Sequence, residues 1–325
     1  MSARVIYMQA GFWKELRADD SIAGFQSLIK IFEAISEANL RTDIEDVDWD
    51  TDPYLMLIWK KYLSNQADVD LYEKVTADKP EENAEDLSAI YLTTLDEQTC
   101  RNLGANYGIV AINNQDLTQK DCLLKGDGFS LEKDEACYED GYMQFRPKIH
   151  YPCNSMIIID PYMLSKKENI ENSLYSLLEA TLPTRKLKPM FYISIVSMIG
   201  EKNRDYEKGG EFYNRIQNLI AAVRKGLNFE LTIYAIGAAE EFHRRMILTN
   251  NVLLMAEDGF EVFRGDGTST KNARFSIVIP SLVGDNRLDL SEYLRWIRIV
   301  KDRSDGQSKT QFWGTRKNRL FELAE

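Results

Sequence analysis

The sequence predicts an α/β protein, and two features of the chain favour that class. In the second half, short apolar segments rich in β-branched residues alternate with segments whose apolar residues recur at helical spacing. Such alternation indicates a largely parallel sheet. The composition, 44% hydrophobic and 28% charged, is that of a folded globular protein. At 325 residues the chain is long enough for two domains, which we place at residues 1–152 and 153–325.

The N-terminal domain is predicted to be an acidic α+β module, less regular than the second domain. A strand opens it in residues 4–13, and the helix that follows has Ser21 at its cap position. Residues 88–95 and 107–114 are rich in β-branched and aromatic residues and are predicted to be short strands. Residues 115–152 contain glycines and prolines without a clear period, which is typical of a joining region.

A run of carboxylates between Asp43 and Asp52 allows two interpretations. Closely spaced acids are the ligands that a hard cation such as calcium prefers, so the run resembles a metal site. Alternatively, the acids lie in a surface loop and cap the helix predicted to start near Pro53. We favour the loop and cap, because like charges repel one another and a surface loop leaves them in solvent.

The C-terminal domain has the clearer alternation of strands and helices. Its first strand ends at Asp160, and two later strands are joined or bent at Asn250 and Asn251. The predicted strands are residues 155–164, 190–200, 229–237, 243–263 in two parts, and 273–284. The predicted helices are residues 167–182, residues 209–226, which Gly226 closes, and residues 289–303.

Charge and hydropathy exclude several classes of protein. The formal net charge of −11 and a pI near 5.0 exclude a uniformly basic nucleic-acid coat, although a local basic face stays compatible with them. No apolar run approaches the roughly 20 residues that span a bilayer, and no secretory signal is evident. The four cysteines are widely spaced without a C-x-x-C pair. We therefore expect a cytoplasmic protein with no membrane partner, no metal and no cofactor.

His243, one of only two histidines, begins the segment His-Arg-Arg at the start of a predicted strand. Alternate residues of a strand share a face, so His243 and Arg245 are expected to point the same way and Arg244 the other way. Arginine donates paired hydrogen bonds to phosphate, and an imidazole is a nucleophile for phosphoryl chemistry. The pattern predicts an anion site at a sheet edge. The alternative is a solvated strand end or an interdomain salt bridge.

His243, Arg245 and Asn250 form H-x-R-x(4)-N, which resembles a degenerate form of the H-x-K-x(4)-D motif of the phospholipase D-like superfamily. The order of predicted elements from Ser155 to Asp302 is similar to one half of that fold. The resemblance implies a mixed, largely parallel sheet. In active members the histidine forms a phosphohistidine, the cation binds phosphate and the acid supports the imidazole. Two such motifs make one site, in one chain or across a dimer.

This sequence departs from the family pattern in ways that favour binding over turnover. Arginine replaces lysine, Asn250 replaces the acid, and no second motif is found, so catalysis would require a homodimer. Glu240 or its neighbour Glu241 is the residue that could replace the missing acid. The function implied is binding of a phosphodiester, with nucleic acid as the first choice, and an active nuclease as an alternative. Proteins of this kind resemble uncharacterised components of bacterial antiviral defence or mobile-element loci.

Two further features carry functional predictions. Asp160, at a strand end, is a candidate metal ligand or general base, although an Asp-Pro pair more often starts a turn. The C-terminal segment interleaves cations with aromatic rings, as nucleic-acid surfaces do. With Arg244, its predicted contacts are Arg295, Arg298, Lys301, Arg303, Trp313, Arg316, Lys317 and Arg319. The competing class is a non-enzymatic interaction subunit whose acidic N-terminal half docks a basic protein partner.

Overall fold

The strands that the structure describes form two sheets, one in each unit. A computed structural model describes residues 4–19, 22–34, 38–60, 90–118, 129–131, 142–143, 152–164, 169–198, 211–235, 245–250, 252–256, 260, 275–278 and 311–322. Unit 1 comprises residues 1–127 and 279–288, and unit 2 comprises residues 128–278 and 289–325. The division thus falls between residues 127 and 128, not at the predicted position after residue 152. The reason is that residues 129–131 pair with a strand of unit 2.

Unit 1 contains a four-stranded sheet in which every pair of neighbouring strands is parallel, in the order β2-β1-β3-β4. The strands are β1 (Arg4–Met8), β2 (Ala38–Thr42), β3 (Ile90–Leu92) and β4 (Val110–Ile112). The helices are α1 (Ala10–Ala18), α2 (Ile22–Ala34), α3 (Asp46–Thr51), α4 (Pro53–Ile58), α5 (Glu97–Tyr107) and α6 (Asn114–Thr118). The N-terminal module is therefore α/β, and the prediction of an α+β module is wrong.

Alternation along β1 sends side chains to two different hydrophobic clusters. Ile6 and Met8 belong to the cluster that α1, α2 and α4 complete. Tyr7 belongs to the second cluster, where its ring stacks on that of Tyr91 at a centroid distance of 4.8 Å. Cys100 of α5 lies in this second cluster as well. The short strands β3 and β4 are buried on both faces, so they are uniformly apolar and do not show the alternating pattern of a half-exposed sheet.

The acidic run of unit 1 forms the short helix α3 and the cap of α4. Asp52 caps α4, because its Oδ1 accepts hydrogen bonds from the backbone N–H groups of Tyr54, at 2.8 Å, and Leu55. Its Oδ2 accepts from the indole of Trp13 at 3.1 Å and from Arg17 at 3.2 Å, both on α1. One carboxylate thus joins two helices, and the predicted cap near Pro53 is confirmed.

Unit 2 contains an eight-stranded mixed sheet in the order β12-β8-β7-β6-β9-β10-β11-β5. The strands are β5 (Phe129–Leu131), β6 (Ser155–Ile159), β7 (Phe191–Ser197), β8 (Phe229–Ala235), β9 (Arg245–Thr249), β10 (Leu253–Ala256), β11 (Phe275–Val278) and β12 (Gln311–Gly314). Strands β6, β7 and β8 are parallel, and the other pairings are antiparallel. The predicted α/β class and the mixed sheet are confirmed. The prediction that this sheet is largely parallel is wrong, because two of the seven pairings between its described strands are parallel and five are antiparallel.

The helices of unit 2 cover the parallel centre of its sheet. They are α7 (Tyr175–Thr181), which a π-helical segment (Asn169–Leu174) precedes, α8 (Glu211–Val223) and α9 (Arg319–Glu322). Leu178 of α7 and Ile220 of α8 share one core cluster with Ile193 and Ile233 of the sheet. In the chain α7 follows β6 and α8 follows β7, so each helix lies between two strands that pair in parallel, as in β-α-β units. The predicted helix at residues 289–303 lies outside the described residues.

The segment after β12 packs against the central strands of the same sheet. Asn318 is buried, and its side-chain amide donates to the carbonyl of Met156 at 2.9 Å and to Oγ of Ser194 at 3.0 Å. These two contacts fix the segment across β6 and β7. In the part of the chain that the structure describes, no helix is long and apolar enough to cross a membrane.

Candidate functional site

The carboxyl end of β6 is where the structure brings two of the predicted site residues together. Asp160 follows β6 directly. The antiparallel neighbour β9 pairs Met246 with Ile159, so Arg245, the first residue of β9, lies beside Asp160. The Arg245 guanidinium is also 5.5 Å from the ring centroid of Tyr162. We call Asp160, Tyr162 and Arg245 the β6 edge site.

Asp160 is fully buried and is engaged by backbone groups. Its Oδ1 accepts from the N–H of Tyr162, and its Oδ2 accepts from the N–H of Phe260, each at 2.8 Å. Burial raises the pKa of Asp160, while these hydrogen bonds and the charge of Arg245 act in the opposite direction. Because both oxygens already accept hydrogen bonds, the carboxyl group shapes the loop around Tyr162 and is a poor candidate for a metal ligand or general base.

Arg245 and Tyr162 supply the accessible chemistry of the β6 edge site. Tyr162 is 43% exposed, and Arg245 is half-buried. The hydroxyl of Ser197 at the end of β7 accepts from the N–H of Leu164 and donates to the carbonyl of Pro161, so the turn that carries Tyr162 is fixed to the sheet. A guanidinium beside an exposed ring offers one donor group for an anion and one flat surface for stacking.

Asn250 lies at the other end of β9 and is not brought together with Arg245. Five residues of strand separate the two, or about 16 Å at roughly 3.3 Å per residue. The side chain is buried, and its Oδ1 accepts from the N–H groups of Asn154 at 2.9 Å and Ser155 at 3.0 Å. Asn250 therefore joins the β9–β10 turn to the start of β6. This position does not suit the catalytic assignment made from the motif.

Three of the predicted site residues, Glu240, His243 and Arg244, lie outside the described residues. Their assigned roles stay predictions.

The basic C-terminal segment is only partly available to a ligand. Trp313 is half-buried and packs against Phe212, and Arg319 is 5% exposed. The Arg319 guanidinium donates to the carbonyl of Met190 at 3.3 Å and lies 4.8 Å from the centroid of the Tyr192 ring. Arg319 is thus part of the fold and cannot serve as the predicted surface contact. Arg316 and Lys317 are exposed, and Arg295, Arg298, Lys301 and Arg303 lie outside the described residues.

Sequence reasoning missed a basic groove in unit 2. The groove has a volume of about 340 Å³ and is lined by Pro183, Thr184, Arg185, Lys186, Ala222, Val223, Arg224, Lys225 and Leu227. Its four cations come from two Arg-Lys pairs, each a few residues before a strand of the parallel centre. The repeated dipeptide was a usable signal. What the sequence did not reveal is that the two pairs meet.

Comparisons with protein-family models and with curated proteins identified no relative of this chain. No protein-family model matches the chain, and no curated protein matches it. Within the described ranges, no group of three or more histidine, cysteine, aspartate or glutamate side chains is placed to hold a metal ion. The resemblance to the phospholipase D-like superfamily rests on the motif residues and the order of the elements.

Proposed function

We propose that unit 2 binds a phosphodiester-bearing partner, nucleic acid in the first instance, at the β6 edge site. The observation that supports this proposal is the placement of the Arg245 guanidinium beside the exposed ring of Tyr162 at the carboxyl end of β6. In open α/β sheets, ligands bind outside the carboxyl ends of the parallel strands. The phosphate would accept hydrogen bonds from Arg245, and an unpaired base would stack on Tyr162.

We infer that unit 2 binds a phosphodiester without cleaving it. Catalysis in the phospholipase D-like manner needs a group that stabilises the protonated imidazole, and a carboxylate does this best. Asn250 carries no charge, and its amide is occupied at the opposite end of β9. A member of this superfamily with His243 and Arg245 but without the acid is expected to hold a phosphodiester rather than cleave it.

The test is binding of labelled single- and double-stranded oligonucleotides over a range of salt concentrations. Arg245→Ala should weaken binding by about 1–3 kcal/mol, or about 5- to 150-fold, because one charged contact is removed. The slope of log K against log salt should fall by about one unit. Arg245→Lys, which keeps the charge but loses the planar fork, should recover part of the affinity and most of the slope.

The matched control is Arg101→Ala, which removes an exposed arginine of unit 1. It carries the same change of charge, and its binding should equal that of the wild type. If Arg101→Ala and Arg245→Ala weaken binding equally, the effect is one of net charge and the β6 edge site is not the binding site. Wild-type protein that binds no oligonucleotide at low salt contradicts the proposal outright.

Tyr162 separates stacking from general attraction to phosphate. Tyr162→Ala should weaken binding of single strands by about 1–3 kcal/mol and have little effect on duplex, whose bases are already stacked. Tyr162→Phe keeps the ring and should bind like the wild type. Equal losses for single strand and duplex would contradict a stacking role.

Turnover is tested with the same oligonucleotides and His243→Ala. We expect no cleavage by the wild type beyond that of the variant. Cleavage that the wild type carries out and His243→Ala does not would replace the binding proposal with the nuclease alternative. In that case a homodimer is expected as well, because the chain contains one motif.

A second candidate function, docking of a basic protein by unit 1, is favoured by one separate observation. The side chains of Tyr54, Leu57 and Trp59, on and after α4, are exposed, and the exposed acids Glu45 and Asp50 precede them in the chain. Apolar groups bordered by charges are typical of protein interfaces. A Lys/Arg-rich peptide should then bind the wild type, and Leu57→Ala should bind it more weakly. Equal binding by the two proteins would exclude this surface.

A further inference from the structure

We propose that the basic groove of unit 2 is a second anion site, which binds phosphate groups independently of the β6 edge site. The groove lies between the loop that precedes β7 and the loop that precedes β8. Both loops are at the amino ends of parallel strands, whereas Asp160 and Arg245 lie at the carboxyl end of β6. The two sites therefore lie at opposite ends of the parallel strands of the same sheet.

Arg224 holds the two loops of the groove together. Its Nε donates to the carbonyl of Pro183 at 3.0 Å, and its Nη1 donates to the carbonyl of Val223 at 3.0 Å. Its Nη2 donates to the carbonyl of Glu179 in α7. A single guanidinium thus joins the last turn of α7 to the end of α8. The walls of the groove are fixed before any ligand arrives, which lowers the entropic cost of binding.

The remaining cations of the groove have no such structural task. Arg185, Lys186 and Lys225 are exposed, and none of the three forms an ion pair with another described residue. The simple structural interpretation is that these cations offset the negative ends of the α7 and α8 dipoles. Arg224 already meets carbonyls of both helix ends, so that interpretation leaves three unneutralised charges around one concavity unexplained.

The charge and size of the groove define the ligand. Among the described residues that line it there is no aspartate or glutamate, although the whole chain carries a net charge of −11. The volume of about 340 Å³ lies at the lower end of the roughly 300–1,000 Å³ that small-molecule sites occupy, a size that suits a short run of linked phosphate groups. Arginine offers paired donors and lysine a mobile point charge, a combination suited to phosphate rather than to a single carboxylate.

Phosphate groups of this kind come from two sources, the backbone of a nucleic acid or a free oligophosphate. The test measures binding of both kinds of ligand: inorganic tripolyphosphate by calorimetry, and a labelled single-stranded oligonucleotide by fluorescence anisotropy. The variant is Lys186→Gln/Lys225→Gln, which removes two exposed charges and leaves Arg224 in place. The control is Lys14→Gln/Lys60→Gln, which removes two exposed lysine charges from unit 1. Both variants must keep the wild-type unfolding midpoint.

For at least one of the two ligands, the groove variant should raise the dissociation constant about tenfold or more relative to the control variant. If the groove variant loses affinity for the oligonucleotide, the phosphate source is the nucleic-acid backbone. If it loses affinity for tripolyphosphate alone, the source is a free oligophosphate. Equal behaviour of the groove and control variants with both ligands overturns the proposal. Arg245→Ala should leave tripolyphosphate binding unchanged, so failure of the β6 edge site and failure of the groove are distinguishable.

Discussion

At Gly314, the last residue of β12, the backbone has φ = +103°, a conformation that side-chain-bearing residues rarely adopt. A Cβ built there would lie 2.0 Å from the carbonyl oxygen of Leu231. Gly314→Ala should therefore destabilise the protein by about 2 kcal/mol or more. Gly226→Ala is the matched control, since Gly226 has φ = +82° but no atom within 4 Å of the added Cβ. Gly226→Ala should lower the free energy of unfolding by about 1 kcal/mol. Equal shifts of the thermal unfolding midpoint would contradict the close contact at Gly314.

A second residue-scale prediction concerns the dependence of stability on pH. Burial raises the pKa of Asp160 in the fold above its unfolded value of about 3.9. The stability that this group contributes is then fully present below the unfolded pKa and is lost as pH rises through the folded pKa. Relative to Asp160→Asn, the wild type should be most stable below about pH 3.9 and should lose that advantage as the pH rises above this value. Urea unfolding at several pH values measures the difference.

Asp96 provides a control of opposite sign for this experiment. The Thr99 side chain and backbone N–H donate to Asp96 and lower its pKa. The stability contributed by Asp96 is present above the unfolded pKa and is lost as pH falls. The difference between the wild type and Asp96→Asn should therefore grow with pH. A difference for Asp160→Asn that also grows with pH would show that its hydrogen bonds outweigh its burial.

At the scale of elements, the hairpin of β9 and β10 is held to β6 by one side chain. Asn250→Ala would leave the buried N–H groups of Asn154 and Ser155 without their acceptor. Each such loss costs about 1–3 kcal/mol, so the variant should be destabilised by about 2–6 kcal/mol. Asn102→Ala, which removes an exposed asparagine that accepts from Gln98, should change stability by no more than about 0.5 kcal/mol.

The Asn250→Ala variant also separates a structural from a functional role of Asn250. Because the residue lies far from Arg245 along β9, the folded fraction of Asn250→Ala should bind oligonucleotides as the wild type does. Calorimetric unfolding measures the stability of the variant, and oligonucleotide titration at low temperature measures its binding. A variant of unchanged stability that selectively loses binding would contradict this assignment.

The elements themselves were predictable where they were long and strongly patterned. The strands around Ile158, Ile193 and Ile233, the helix closed before Gly226 and the turn at Asn250 all follow from local sequence. The three-residue strands β3 and β4 were also recognised. Their parallel pairing was not predicted, because strands this short have no period that reveals which neighbour they meet.

At the scale of the whole molecule, the order of strands in unit 2 predicts a gradient of backbone protection. Strands β6 and β7 are paired on both sides, whereas β12 pairs only with β8 among the described strands. Amide hydrogen exchange followed by mass spectrometry should show β6 and β7 to be the slowest and β12 to be several-fold faster. Exchange in β12 as slow as in β7 would indicate a further partner for this edge strand.

The distribution of charge is also a property of the whole molecule. The net charge of −11 repels polyanions at long range, so any phosphate binding must come from local concentrations of cations. The sequence indicated such a concentration in the C-terminal segment, but Arg319 is used inside the fold. The cations of the basic groove, by contrast, come from segments about 40 residues apart, such as Arg185 and Lys225. Proximity of this kind depends on strand order and not on local sequence.

The sequence by itself determined the α/β class, most elements of unit 2 and the residue types of the Arg245 motif, because periodicity, turn residues and caps are local properties of the chain. Only the tertiary structure decided the parallel sheet of unit 1, the packing of Asn250 against the start of β6, and the meeting of Arg185 with Lys225. These facts depend on which strands pair and in which direction. Strand pairing is set by burial across the whole sheet, which no short segment encodes.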